Sequence, residues 1–97
     1  MQIGNNVFSI SKLIGTETIT ANSAGTDRAV GERKVVGISI DAKAFVKFSR
    51  DGTNAAATDT LLPTAGIYYF HTAMNTVVSV FAHSGSNVIC SVFECAN

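Results

Sequence analysis

Apolar and polar positions alternate along much of the chain with the two-residue period of β-strands. The pattern is clearest in the second half, where turn residues separate short segments rich in Val, Ile and aromatic side chains. No segment has the spacing of a sustained amphipathic helix. The pattern predicts strands at residues 7–11, 16–20, 35–40, 44–48, 67–72, 77–82 and 88–93.

Short strands that recur roughly every ten residues are typical of an antiparallel β-sandwich or a jelly-roll-like barrel. A chain of 97 residues with 46% apolar content can build one core and not two. We therefore expect an all-β fold, a single antiparallel β-sandwich or jelly-roll-like barrel of about seven strands. We expect this domain to span residues 1–97, with residues 1–6 as a flexible N-terminal arm.

Turn residues predict how these strands are connected. The short segment 41–43 predicts a hairpin between the strands that flank it, and residues 84–87 predict a second hairpin turn. Asp51-Gly52 is a strong turn signal, because Asp-Gly is favoured where the backbone needs a positive φ. The polar segment 21–31 and the small-residue segment 55–60 are predicted as loops.

Two strands carry unusual features. Gly37 interrupts a Val/Ile strand, which is typical of a bulge or of a close approach by a neighbouring group. Residues 77–82 are nearly all apolar, so this strand is predicted to be buried on both faces or to lie in an interface.

The charge content is low, and this narrows the classes of partner. Charged residues make up 14% of the chain and the formal net charge is zero, against about 25% charged residues in typical soluble domains. Little electrostatic repulsion separates such chains, which favours permanent assembly, with a neutral monomer as the simpler alternative. The basic residues are interspersed with acids, so neither DNA nor RNA is expected as a partner.

No membrane partner is expected either. The apolar runs are far shorter than the roughly 18 residues of a spanning helix. Residues 1–6 lack the basic and apolar regions of a signal peptide. We expect assembly in a cytoplasm, and a mature secreted fragment stays as the alternative.

The two cysteines, Cys90 and Cys95, lie in one predicted strand. At about 3.3 Å per residue their Cα atoms are roughly 16 Å apart, beyond the roughly 7 Å limit of a disulfide. Their odd separation places them on opposite faces of the sheet. Both are interpreted as small buried hydrophobes; a reactive thiol, or an intermolecular bridge through Cys95, is the functional alternative.

Metal binding is not indicated by the remaining candidate ligands. His71, His83 and the cysteines lack the spacing of a zinc site. Asp51, Asn54 and Asp59 only loosely resemble a calcium loop, since turns use these residue types for geometry anyway. No metal and no cofactor are expected.

Catalytic chemistry is not indicated either. No Ser or Cys lies in a recognisable nucleophile turn. The acids occupy predicted loops without a paired arrangement; they are Asp27, Glu32, Asp41, Asp51 and Asp59. We assign no catalytic residue and expect the protein not to be an enzyme.

A carbohydrate-binding or host-adhesion module is an alternative from a different class. Alternation places Tyr69 on the face opposite Tyr68 and Phe70, so these aromatics cannot form one stacking platform. The candidate glycan-binding segments are instead residues 50–54 and 83–87.

Residues 34–92 contain a characteristic order of elements. The Val/Ile strand 35–40 comes first, followed by a strand ending in Val46-Lys47-Phe48, the small-residue loop 55–58 and the segment Asp-Thr-Leu-Leu-Pro-Thr-Ala-Gly at 59–66. An aromatic strand, Val78-Ser79-Val80 and Ser84-Gly85-Ser86 complete the order. In this order residues 34–92 resemble small virion proteins of tailed bacteriophages, which serve as capsid decoration or cement proteins and in neck or tail attachments.

This resemblance implies a non-enzymatic virion structural protein, foremost a capsid decoration or cement protein that stabilises the phage head. It implies assembly in the host cytoplasm and final localisation in the virion. The implied partners are the chain itself, as a homotrimer around a local three-fold axis, and the major capsid protein or another virion protein. A neck or tail structural protein is the nearest alternative.

Overall fold

A computed structural model of the chain describes residues 9–30, 35–73 and 76–96. Within these ranges the secondary structure consists of β-strands without a helix. The strands are β1 (Ser9–Ile19), β2 (Arg28–Ala29), β3 (Val35–Ile40), β4 (Ala44–Ser49), β5 (Thr60–Leu62), β6 (Gly66–His71), β7 (Val77–Ala82) and β8 (Val88–Ala96). The all-β prediction is confirmed, with eight strands in place of seven.

The strands form two antiparallel four-stranded sheets. Sheet I has the order β1-β8-β3-β6, and sheet II has the order β2-β7-β4-β5. The pairs β1·β8, β2·β7, β3·β6 and β4·β5 join the first strand to the last and continue inward, as in one long hairpin that has been rolled up. This strand order is the jelly-roll topology, in which two antiparallel sheets pack as a sandwich. The observed fold thus agrees with the predicted antiparallel β-sandwich or jelly-roll-like barrel.

Two predicted hairpins are wrong, because their strands belong to different sheets. β3 lies in sheet I and β4 in sheet II, so residues 41–43 carry the chain across the core. Residues 84–87 likewise connect β7 of sheet II to β8 of sheet I. Ile40 and Ala44 are both buried in the same core on either side of the first crossing. The crossing places Ile40 on the inner face of sheet I and Ala44 on the inner face of sheet II, so the two residues meet the core from opposite sides.

The first two predicted strands, 7–11 and 16–20, belong to a single strand in the described part of the chain. β1 runs from Ser9 to Ile19 and pairs with β8, with register shifts between Ile10 and Lys12 and between Leu13 and Gly15. These bulges interrupt the alternation, which is why the sequence pattern divides the strand in two. The predicted arm, residues 1–6, lies outside the described residues.

The predicted loop at 21–31 is observed over residues 21–27, which run along the edge of sheet II without a regular strand, but it is wrong at 28–29, which form β2. The Asn22 and Gly25 amides donate to the Ala82 and Val80 carbonyls at 3.0 and 2.9 Å, and the Val30 amide donates to Thr76 O at 2.8 Å. β2 lies within this edge. The sequence pattern did not predict β2, because a strand at a sheet edge with one solvent-exposed side needs few apolar residues. The short strand β5 was also not predicted.

The core lies between the inner faces of the two sheets. It is one cluster to which six of the eight strands contribute, together with Val30 directly after β2: Ile19, Val30, Val36, Ile38, Ile40, Ala44, Val46, Leu62, Val78, Val80, Ala82, Val88, Cys90 and Val92. Phe48 of sheet II and Phe70 of sheet I close it, with ring centroids 4.9 Å apart. Aromatic pairs at such distances stabilise beyond the area that they bury.

The outer face of sheet II is covered by the chain's own β4–β5 loop. The Ala55 amide donates to Ser79 Oγ at 2.9 Å, and both residues are buried. The prediction that β7 is buried on both faces thus holds in part, because Ser79 on the outer face is buried while Val77 and Phe81 are only half-buried. Gly52 in this loop has a φ of 78°, which confirms the predicted Asp-Gly turn. Residues 55–60 are a loop up to the start of β5, as predicted.

One open edge between the sheets is joined by a polar cluster. The Glu17 carboxylate on β1 accepts the Thr26 amide at 2.8 Å and the Thr26 hydroxyl at 3.1 Å. It also accepts the Arg28 guanidinium of β2 at 3.4 Å. Both charged side chains are about a quarter exposed, so solvent screening limits the ion pair to a small contribution. The cluster fixes where β2 lies against β1.

Gly37 lies directly beneath the Phe93 ring on the outer face of sheet I. A Cβ at Gly37 would overlap this ring. The prediction of a close approach is confirmed, and the pairing of β3 with both neighbours proceeds without a bulge. Because Gly37 on the inner strand β3 has no side chain, the Phe93 ring can lie over it, and only 5% of Phe93 is exposed.

We expect Gly37→Ala to lower the free energy of unfolding by about 1–3 kcal/mol, because the methyl group must displace the Phe93 ring. The measurement is urea denaturation. In a Phe93→Leu background the same substitution should cost clearly less, since the flat ring is gone. Equal costs in both backgrounds would show that Phe93 is not the obstacle.

Candidate interaction surface

The structure separates the residues that were considered as zinc ligands. His71 ends β6 next to the start of β3, whereas His83 follows β7 near the connection from β3 to β4. The two histidines thus lie at opposite ends of the sandwich. His83 Nδ1 accepts the Gly85 amide at 3.1 Å, which makes it a turn residue as expected. In the ranges that the structure describes, no three His, Cys, Asp or Glu side chains gather into a possible metal site.

The two cysteines point to opposite faces of β8, as predicted. Cys90 lies in the core, and Cys95 lies against Val35 and Phe93 on the outer side of sheet I. Burial raises the pKa of Cys90 to about 12, with a smaller contribution from the Glu17 carboxylate. Burial also raises the pKa of Cys95, against a hydrogen bond from the Gly37 backbone. Thiols that are buried and protonated are poor nucleophiles, which disfavours the reactive-thiol alternative.

The acids of the proposed calcium loop serve their own turns. The Asp51 carboxylate accepts the Thr53 hydroxyl at 2.6 Å and the Thr53 amide at 3.0 Å, and these bonds lower the pKa of Asp51. The Asp59 carboxylate accepts the Ala56 amide at 2.8 Å. Each carboxylate thus stabilises a local turn.

The two segments considered for glycan binding lie far apart on sheet II. Residues 50–54 follow Ser49, which pairs with the first residue of β7. Residues 83–87 follow the last residue of β7, which pairs with Ala44 at the start of β4. The two segments therefore occupy opposite ends of the sheet and do not converge on one site.

The aromatic strand β6 divides its side chains as predicted. Tyr68 and Phe70 pack against the core, whereas Tyr69 is on the outer face. The Tyr68 hydroxyl donates to Thr64 O at 2.7 Å and holds the turn before β6. Tyr69 makes an edge contact with Phe93, with centroids 6.3 Å apart. The inward aromatics are structural, and only Tyr69 belongs to an accessible surface.

The outer face of sheet I is the most distinctive surface of the described chain, and we call it the uncharged face. The register of the four strands places the following described side chains and one glycine on it: Leu13, Thr16, Thr18, Val35, Gly37, Ser39, Ile67, Tyr69, His71, Ile89, Ser91, Phe93 and Cys95. None of these residues is Asp, Glu, Lys or Arg. The described Asp, Glu, Lys and Arg side chains thus lie off this face, with Asp41 at its corner.

Large apolar side chains are concentrated on this face. Of the five that are exposed in the described chain, four belong to it: Leu13 (58% exposed), Ile67 (55%), Ile89 (52%) and Tyr69 (43%). The fifth is Leu61 on the outer side of sheet II. Exposed apolar side chains gathered on one face are a feature of protein-contact sites in globular proteins.

Apart from His71 and the Tyr69 phenol, the polar residues of the uncharged face are small hydroxyls that can be covered at little cost. Thr16 Oγ1 and Ser91 Oγ share a hydrogen bond of 2.9 Å between neighbouring strands. A hydroxyl pair that satisfies itself loses less on dehydration than one that depends on water. At the corner of the face, the Asp41 carboxylate accepts the Ile89 amide at 2.7 Å and so is also partly satisfied within the chain.

The outer face of sheet II differs in both respects. It carries Lys47, which pairs with Ser79 across the sheet, and the β4–β5 loop covers part of it. Sequence reasoning could assign outward positions strand by strand. It missed the uncharged face because the face depends on which strands are neighbours, and β1, β8, β3 and β6 are distant in sequence.

Comparison with known proteins returned no matching family model, no matching curated protein and no matching solved structure. In the described residues, no helix has the length and apolar character needed to cross a membrane.

The buried thiol of Cys90 predicts a loss of stability at alkaline pH. Its pKa is about 12 in the folded chain against an ordinary value of 9.0. Above pH 9 the unfolded chain therefore loses this proton first, and the free energy of unfolding should fall as the pH rises from 9 towards 12. Urea denaturation at a series of pH values measures this decline.

We expect Cys90→Ala to show a shallower decline than the wild type over this pH range. Val92→Ala is the matched control, because it also removes atoms from the core but no titrating group. If Cys90→Ala and wild type lose stability in parallel, the alkaline decline arises from other groups.

Proposed function

We propose that the protein is a non-enzymatic structural subunit of a bacteriophage virion, foremost a capsid decoration or cement protein that stabilises the head. The observation that carries this proposal is the uncharged face, which exposes Leu13, Ile67, Tyr69 and Ile89 together on one sheet. A small domain that leaves such a surface open gains stability when another protein covers it.

A moderate contact surface is sufficient for a subunit of a symmetric particle. Burial of apolar area contributes roughly 25 cal/mol per Å², so one small face supplies a moderate contact. On a symmetric shell the same contact is repeated, and subunits already held in place bind their neighbours at high effective concentration. With a formal net charge of zero, crowded copies repel one another little.

The fold agrees with this proposal at the level of analogy. Jelly rolls with eight strands occur in viral capsid and lectin domains. A shared topology does not determine function, so the argument depends on the surface and on the resemblance of residues 34–92 to small virion proteins.

Two alternatives lead to different measurements. A neck or tail protein would use the same kind of surface, but in a ring with few copies for each particle. A carbohydrate-binding module is less well supported, because residues 50–54 and 83–87 lie at opposite ends of sheet II and cannot build one glycan site together.

The test is to purify particles of the phage that encodes the chain and to quantify the chain against the major capsid protein by mass spectrometry. We expect copy numbers comparable to that of the major capsid protein. Particles made without the chain should release their DNA at a lower temperature, and addition of the purified chain should restore wild-type heat resistance. A copy number of a single ring would favour the neck or tail, and absence from particles would overturn the proposal.

A further inference from the structure

We infer that the uncharged face is a homotypic interface, packed face to face against the same face of a second copy across a two-fold axis. The inference rests on the proposed function for its setting in a particle, and it names the partner of this surface. Its test uses the purified chain alone, so the two can fail independently.

The partner of the uncharged face must match it in charge. A charged group brought against the middle of this face would lose its water and find no opposite charge, because the nearest described carboxylate, Asp41, lies at the corner. The partner surface must therefore also be nearly free of charge. In the described chain, Lys47 excludes the outer face of sheet II, so another copy's uncharged face is the matching surface that this protein itself provides.

The shape of the uncharged face suits packing against another sheet. Antiparallel sheets pack face to face at about 10 Å with their strands roughly aligned, as sheets I and II already do around the core. The uncharged face offers the relief that such packing needs. Large side chains at Leu13, Ile67 and Ile89 project beside small ones at Ser39 and Ser91.

The uncharged face is just large enough for a specific dimer contact. The strands of sheet I have 11, 9, 6 and 6 residues. At about 4.8 Å between strands and about 3.3 Å per residue, the face covers about 500 Å² per copy and about 1,000 Å² for a pair. This is the lower limit for a specific interface. We therefore expect a dimer that dissociates reversibly, and not a permanent one.

Symmetry favours two copies over the three expected from the sequence. A patch that pairs with itself closes after two subunits, whereas a three-fold ring needs two different complementary patches on every chain. The described surface shows one sheet face without Asp, Glu, Lys or Arg, because the exposed Leu61 on the outer side of sheet II shares its face with Lys47. Pairing along the open edge of β6 is the competing arrangement, and it would leave β8 and β1 out of the contact.

The experiment is sedimentation analysis of the purified chain over a concentration series. The wild type should shift from monomer to dimer with rising concentration. Ile67→Lys on β6 and Ile89→Lys on β8 should each weaken the dimer at least about tenfold, because a lysine placed in the interface loses its water. Both sites are more than half exposed, so the variants should fold normally, which circular dichroism and urea denaturation will check.

Leu61→Lys is the matched control. Leu61 is 46% exposed on a strand of sheet II, so it receives the same charge outside the proposed interface. This variant should dimerise like the wild type. A dimer weakened by Ile67→Lys but not by Ile89→Lys would indicate pairing along the β6 edge and would overturn the face-to-face arrangement.

A mixing experiment tests the homotypic contact directly. Chains with Ile67→Lys and chains with Ile67→Glu should each be largely monomeric, and their mixture should recover dimers, because a mixed dimer buries one pair of opposite charges in place of two like charges. A wild-type chain that stays monomeric, or forms a trimer, overturns the inference and leaves particle binding intact. A dimer with these properties that is missing from particles supports the inference and overturns the proposed function.

Discussion

The structure depends on the apolar layer that sheets I and II share. Val36 and Ile38 on β3 and Val46 and Val80 on sheet II are almost fully buried in one cluster, and each lies on a strand whose side chains alternate. Once this layer is buried, the two-residue period determines which side chains every strand presents outward. The burial also explains the crossings between sheets, since each crossing carries the chain from one side of the layer to the other.

The two outer faces follow from this layer, but the chain treats them differently. Over sheet II it lays its own β4–β5 loop, held by the bond from the Ala55 amide to Ser79. Over sheet I, in the described residues, the main internal cover is Phe93, which lies flat because Gly37 beneath it has no side chain. The exposed apolar residues around Phe93 remain open to a partner. The surface that we propose as an interface is therefore a product of the same alternation that built the core.

The described chain has a distinctive surface, but its candidate ligands and nucleophiles do not come together in one site. The candidate histidines lie at opposite ends of the sandwich, and the acids Asp51 and Asp59 each hold their own turn. Cys90 is a protonated core residue. What distinguishes the described chain is a sheet face without Asp, Glu, Lys or Arg. Such a surface suits a protein that acts through contacts with other subunits, which is why a structural role in a particle is proposed.

The sequence by itself determined the all-β class, most strand positions, the opposite faces of Cys90 and Cys95, and an unusual position at Gly37, either a bulge or a close approach. These are local properties, readable from alternation and from turn residues. Only the tertiary structure decided the sheet to which each strand belongs. It therefore replaced two hairpins by crossings, showed an edge in the polar segment after β1, and brought Leu13, Ile67 and Ile89 onto one face. Strand neighbours are set by long-range burial, and the physical reason is that a two-residue period specifies a face but not a partner.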